Sequence, residues 1–236
     1  MLESENAFLA RLWQRSSVWV CVALLLFVAS GCVLNTERNY ENGRKAFNEG
    51  KYQEAIKLLE RGGEDGKELL GIIYYRGLGV PQDENKAKEY LFNAPLGGEG
   101  HFCKADLELI EMSRADEFSY KWKLREILNS YKTAQELGFS GNGIAERIEI
   151  LEKIIQKMQE ESFRKYSVSG GGTFWGYEGY PPEGWGIRKI RTYLGEHYIT
   201  LGFWKNGLPQ GDVLQGYWGG GGWTGTNVGI PLGNSY

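Results

Sequence analysis

A chain of 236 residues with a formal net charge of -3, 42% hydrophobic and 14% aromatic, carries enough apolar material for one large or two small domains. That charge balance leaves no basic face of the extent that nucleic-acid binding requires, so no nucleic-acid partner is expected. Of the three cysteines, Cys21 lies in an apolar N-terminal run and Cys32 ends it, so Cys103 stands alone in the remainder. Packing rather than disulfides must hold the fold, and Cys103 is expected as a small buried hydrophobe.

The N-terminus reads as a targeting segment. Arg11 and Arg15 precede the apolar run from Val18 to Ala29, and Ala29-Ser30-Gly31 stands directly before Cys32. A charged region, an apolar region and a small-residue site form the layout of a secretory signal. With the cysteine, the segment resembles the lipobox of bacterial lipoproteins. The resemblance implies a signal peptide over 1–31, cleavage after Gly31 and a lipid on Cys32. It departs from the pattern in Glu3 and Glu5 and in Ala29, where the family has leucine. The alternative is an N-terminal signal anchor, since Val18 to Leu34 is 17 residues against the ~20 that span a bilayer comfortably. Val33 and Leu34 follow the cysteine, and without an aspartate there the resemblance leans towards the outer membrane. The protein is thus expected in the bacterial envelope, lipid-anchored on the periplasmic side.

Residues 33–165 are rich in Glu, Lys, Leu, Ile and Ala and read as helical. In GRKAFNEGKYQEAIKLLE, residues 43–60, apolar positions recur at helical spacing on either side of Gly50-Lys51, which predicts a helix pair. It resembles a degenerate tetratricopeptide unit. Residues 67–97 are sharper, with Leu70, Gly71, Tyr74, Gly77, Gly79, Asp83 and Ala87 in KELLGIIYYRGLGVPQDENKAKEYLFNAPLGG. This series resembles the Sel-one-like repeat, a relative of the tetratricopeptide repeat. The residues alone support a helix pair. Gly77 and Gly79 suit the positive φ of a tight interhelix loop, Asp83 is a cap for the second helix, and Gly71 and Ala87 leave room for close approach. Lys67 and Pro95 depart from the family, and Pro95 should end the second helix early.

Ala105 to Met112 predicts a further helix, Ser113 to Glu126 an insertion, and Tyr131, Ala134 and Leu137-Gly138 an echo of Tyr90, Ala94 and Leu96-Gly97. Ile144, Ile148, Leu151, Ile155 and Met158 mark a long amphipathic helix. It is expected to cap the helical stack with one polar face; its functional alternative is a partner-binding seam.

The composition then changes, with 19 of the 34 glycines and five of the eight tryptophans at or beyond Gly170. Residues 166–172, YSVSGGG, read as a glycine-rich joint, and 173–236 as a second architecture. Gly202, Trp204 and Gly207 recur fourteen residues on as Gly216, Trp218 and Gly221, and Asn206-Gly207 suits a hairpin turn. The pattern resembles the MORN repeat, which implies stacked hairpins in a single-layer sheet. The expected fold class is therefore α+β in two segregated parts, an α-solenoid of helix pairs followed by a short MORN-like β-hairpin sheet. Trp204 and Trp218 are expected to pack one hairpin on the next, whereas Trp175, Trp185 and Trp223 fall outside the matching positions and are the candidates for exposure.

No catalytic, cofactor or metal constellation is legible. His101 and His197 lie in different halves, and a structural zinc site wants four ligands. The chain is therefore expected to be no enzyme and to need no cofactor. The repeat resemblances imply an adaptor that presents surface to a protein partner, tethered through the Cys32 lipid. Two alternatives stand beside it: an immunity-type protein neutralising a toxin, and a cell-wall glycan binder using the tryptophans.

Overall fold

The computed structural model describes residues 34–114, 120–159, 163–167, 172–177, 184–191, 196–206, 208–218 and 224–229. The signal segment with Gly31 and Cys32, and Gly207, Gly221 and Trp223, lie outside the described residues, as do the side chains of Trp175 and Trp218. Along the chain the fold is α+β with segregated parts, helices first and then an antiparallel sheet. Its division into compact units falls between residues 66 and 67.

In the first unit, α1 (34–48) and α2 (Tyr52–Leu59) are joined at Gly50, whose φ is +73°. Helices this short gain their stability from packing. Ala55 and Leu59 are fully buried, and a Cβ on Gly43 would lie 2.8 Å from Leu59 Cδ2, so glycine there sets the approach of the two helices.

The boundary falls in the first turn of α3 (Glu64–Arg76); the second unit holds the rest of α3, which makes a hairpin with α4 (Glu84–Leu91), followed by α5 (Gly98–Arg114), α6 (Tyr120–Glu136) and α7 (Ile144–Lys157). The expected insertion at 113–126 is largely helix instead. α5 runs to Arg114 and α6 starts at Tyr120, because Leu124, Ile127, Leu128 and Tyr131 continue one buried stripe. Pro95 is not what ends α4, which already stops at Leu91.

Six strands follow as an antiparallel meander in the order β1 (Phe163–Ser167), β2 (Thr173–Tyr177), β3 (Gly184–Arg191), β4 (His197–Lys205), β5 (Leu208–Trp218) and β6 (Thr224–Gly229). The register places Ile187, Leu201 and Leu214 abreast, all fully buried. Ile199 and Gly216 are abreast on the same face, and a Cβ on Gly216 would sit 3.2 Å from Leu109 Cγ of α5. That face therefore meets the helices: α5 packs on β4, β5 and β6, and α7 on β3, β4 and β5.

Two expectations change here. The chain does not divide at 166–172. Tyr166 and Ser167 belong to β1, Thr173 opens β2, and the sheet shares one compact unit with α3 to α7 because α5 and α7 supply its core. Nor is α7 a terminal cap with a free side. It lies against α6 and the sheet, with Ile148, Leu151, Ile154 and Ile155 buried, so its apolar seam is filled by the chain's own strands.

Candidate functional site

The Sel-one-like positions converge on the α3–α4 hairpin. Leu70 and Tyr74 are buried on α3 and Ala87 on α4. A Cβ on Gly71 would lie 2.5 Å from Leu91 Cγ, and Tyr74 stacks on Tyr90 with ring centroids 6.0 Å apart. Gly77 and Gly79 take φ of +67° and +68°, a region costly for residues with a Cβ. Asp83 accepts a hydrogen bond from the Lys86 amide at 3.0 Å, which satisfies one free donor of α4. These residues build the hairpin.

Glu68 of α3 does comparable work at the next helix. Its Oε1 accepts from the Gly97 and Gly100 amides at 2.8 and 3.0 Å, seating a carboxylate at the positive end of α5. A Cβ on Gly100 would collide with Glu68 Oε1, so the glycines are there to admit the carboxylate. Burial pushes the Glu68 carboxyl above its ordinary value despite those two amides.

A charged cluster that the sequence reading did not single out lies at the centre of the helices. Asp106 (α5) accepts from Tyr131 (α6), from Arg147 Nη1 (α7) at 2.6 Å and from the Tyr75 hydroxyl (α3) at 2.6 Å. Arg147 also donates to Tyr131 Oη at 3.0 Å and, through Nε, to the Asn142 carbonyl at 3.0 Å, and its guanidinium lies over the Phe102 ring. Burial raises both tyrosine hydroxyls well above their ordinary value, and Asp106 raises them further. Burial opposes the Arg147 charge, but Tyr131 and Asp106 outweigh it and hold the guanidinium protonated. Asp106, Tyr131 and Arg147 are all buried, so the cluster ties four helices together and offers nothing to solvent. Cys103 beside it is fully buried, and burial with the Asp106 charge pushes its thiol well up, away from the reactive thiolate. The signal in sequence was a charge on each apolar stripe: Asp106 between Ala105 and Leu107, and Arg147 before Ile148.

The MORN-like positions fall differently from the stacked hairpins that the resemblance implies. The two copies are not successive hairpins: Gly202 and Trp204 stand near the end of β4, Gly216 and Trp218 at the end of the antiparallel β5. The offset of fourteen therefore steps one strand, not one hairpin, and the copies lie at opposite ends of the sheet. Asn206, with φ +52°, makes the β4–β5 turn. Trp204 is buried at 1% exposure, edge-on to Phe174 with centroids 5.5 Å apart.

The sheet leaves aromatic surface at one end. Trp185 and Phe203 are abreast on β3 and β4, ring centroids 5.9 Å apart, on the helix-facing side but beyond the buried row of Ile187, Leu201 and Leu214. Phe203 is 39% exposed and Leu208, opposite Lys205, 46%; Trp185 is half-buried. Of the three tryptophans expected at the surface, Trp185 reaches it only in part, and it does so paired with a phenylalanine that the sequence reading passed over.

The opposite face carries a polar row, with Arg188, Thr200 and Gln215 abreast and Gln215 Nε2 donating to Thr200 Oγ1 at 3.2 Å. The Arg188 guanidinium carbon lies 5.8 Å from the centroid of the Trp204 ring. Comparison with family models, with curated proteins and with solved structures gave no match in any of the three.

Proposed function

We propose that this chain is a lipid-anchored envelope protein that binds a protein partner and performs no chemistry on it. The observation that carries the reading is the aromatic end of the sheet. Trp185 and Phe203 stand abreast, and Leu208 lies further along the same end of the sheet, opposite Lys205, all partly open to solvent, on a scaffold whose own core is closed by α5 and α7. Large aromatic side chains on rigid strands make strong anchors because little entropy is lost on binding. The repeat resemblances support the same reading by analogy alone, and the lipobox-like residues Gly31 and Cys32 supply the tether. No described helix is long and apolar enough to cross a membrane. A glycan reading needs open tryptophan faces, and Trp204 is buried at 1% exposure.

The test is crosslinked purification of the mature protein from its native envelope, with the parent chain and with Phe203→Ser combined with Leu208→Ser. The reading expects one stoichiometric protein with the parent and its loss from the double variant. Recovery of the same protein in the same amount from both would overturn it.

A further inference from the structure

Leu34 opens α1, and it stands only two residues after Cys32. Two residues of extended chain reach at most about 7 Å, so an anchor that ends at Cys32 holds the first turn of α1 at the membrane surface. The side chain found there is apolar. Leu34 is 66% exposed, the most exposed large apolar side chain among the described residues. Its own fold does not cover it. The face of α1 turned inward carries Thr36, Tyr40 and Gly43, which lie against Gly63, Gly62 and Leu59. Positions 34, 37, 38 and 41 share the outward face, and past Leu34 that face is Glu37, Arg38 and Glu41, all exposed.

We propose that the fold itself is seated on the bilayer through Leu34, with α1 rising from the lipid surface rather than lying in it. This rests on the reading of residues 1–32 as a membrane-anchoring segment and adds a direct contact between lipid and fold. A helix lying in the interface needs an apolar stripe along its length. Here the outward face is apolar in its first turn alone, and the next turns carry Glu37, Arg38, Glu41 and Arg44, the last two paired at 2.7 Å. Leucine in the first turn suits the boundary between headgroups and acyl chains, and charges one turn on suit the hydrated headgroups. Both signs stand on that face, so the contact is apolar and needs no anionic lipid, unlike the attraction of a polybasic segment. The seat leaves no slack between anchor and fold, which keeps the module beside its membrane.

The experiment uses the full chain, processed in cells and reconstituted into vesicles of phosphatidylethanolamine and phosphatidylglycerol. A genetically encoded fluorescent amino acid replaces Asn35 or Asn48, both exposed on α1, the second about 20 Å further along the helix. Quenching is read with a lipid carrying a nitroxide near the acyl carbonyls. The proposal expects quenching at 35 and none at 48. In Leu34→Asn the quenching at 35 should fall severalfold, and in Leu34→Met it should persist, each with parental circular dichroism. No quenching at 35, equal quenching at both sites, or a signal at 35 indifferent to Leu34→Asn would each overturn the seat. Incorporation of labelled palmitate is followed in the same chains. Palmitate on Cys32 without quenching at 35 would overturn the seat and leave the lipid anchor standing; quenching at 35 that depends on Leu34 but comes without palmitate would uphold the seat and replace the lipid by a signal anchor.

Discussion

Removing the cation from the helix-tying cluster should come close to unfolding the second unit. In Arg147→Met the side chain keeps most of its length over the Phe102 ring, but its hydrogen bonds go, among them those to Asp106 Oδ1 at 2.6 Å, to Tyr131 Oη at 3.0 Å and to the Asn142 carbonyl at 3.0 Å. Asp106, at 1% exposure, is left as a buried carboxylate without the guanidinium charge that balanced it. Breaking one partner of such a pair costs about 3 to 5 kcal/mol, a large fraction of the ~5 to 15 kcal/mol that a domain has. The pairing predicts more than a loss. Adding Asp106→Asn to Arg147→Met removes the stranded charge, so the double variant should be more stable than Arg147→Met alone, and its loss should fall short of the sum of the two single losses by about 2 kcal/mol or more. Urea unfolding followed by circular dichroism and tryptophan fluorescence, with slopes compared between variants, measures this. A single-variant loss below about 1 kcal/mol, or losses that simply add in the double variant, would refute the cluster as the tie between α3, α5, α6 and α7.

Three further outcomes follow from the geometry. Gly79→Val places a β-branched residue at φ +68° and should destabilise by about 1 to 2 kcal/mol, read as a lowered urea midpoint; an unchanged midpoint would mean the α3–α4 loop has another backbone. Gly216→Val puts methyl groups where Ile199 Cγ2 and Leu109 Cγ leave only 3.1 and 3.2 Å to a Cβ, and should cost about 1 to 3 kcal/mol by overpacking. The control Gly211→Ala meets nothing within 4 Å and should cost only the strain of φ +67°; equal losses would show that α5 does not lie on β5. Glu108 has a buried oxygen without a partner, and burial raises its carboxyl, with Glu126 and Glu111 acting the same way and Lys104 and Lys123 opposing. A raised acid takes up its proton more readily in the folded chain, so its effect on stability worsens as pH rises through the window above the ordinary value near 4.3. Glu108→Gln should therefore raise Tm at pH 7 and lose that advantage towards pH 4, and a variant less stable at pH 7 would refute the assignment.

Legibility differed between the two halves for a physical reason. The α3–α4 hairpin could be read because its constraints are local: Gly77, Gly79 and Asp83 each act within a few residues of their own position. α7 was legible as a helix from Ile144, Ile148, Leu151 and Ile155, but what covers that stripe is a sheet later in the chain, and periodicity names a face without naming its neighbour. The fourteen-residue recurrence was real in composition and misleading in geometry, since a period of fourteen fits either a hairpin of short strands or one long strand with its turn. The lengths of β4 and β5 decide for the second. Asp106 and Arg147 looked like ordinary helix charges because their pairing spans 41 residues, and Arg188 is noticeable only once the register sets it beside Trp204.

The central claim, that a protein partner is held at the aromatic end of the sheet, is tested most directly by a photoreactive phenylalanine analogue placed in turn at Phe203 and at Trp122, each in the full chain in its native envelope. Trp122, 51% exposed at the start of α6, serves as an equally accessible aromatic site away from the sheet. The account predicts one discrete protein adduct from position 203 and none from 122; adducts from 122 alone, or the same adducts from both positions, would contradict it.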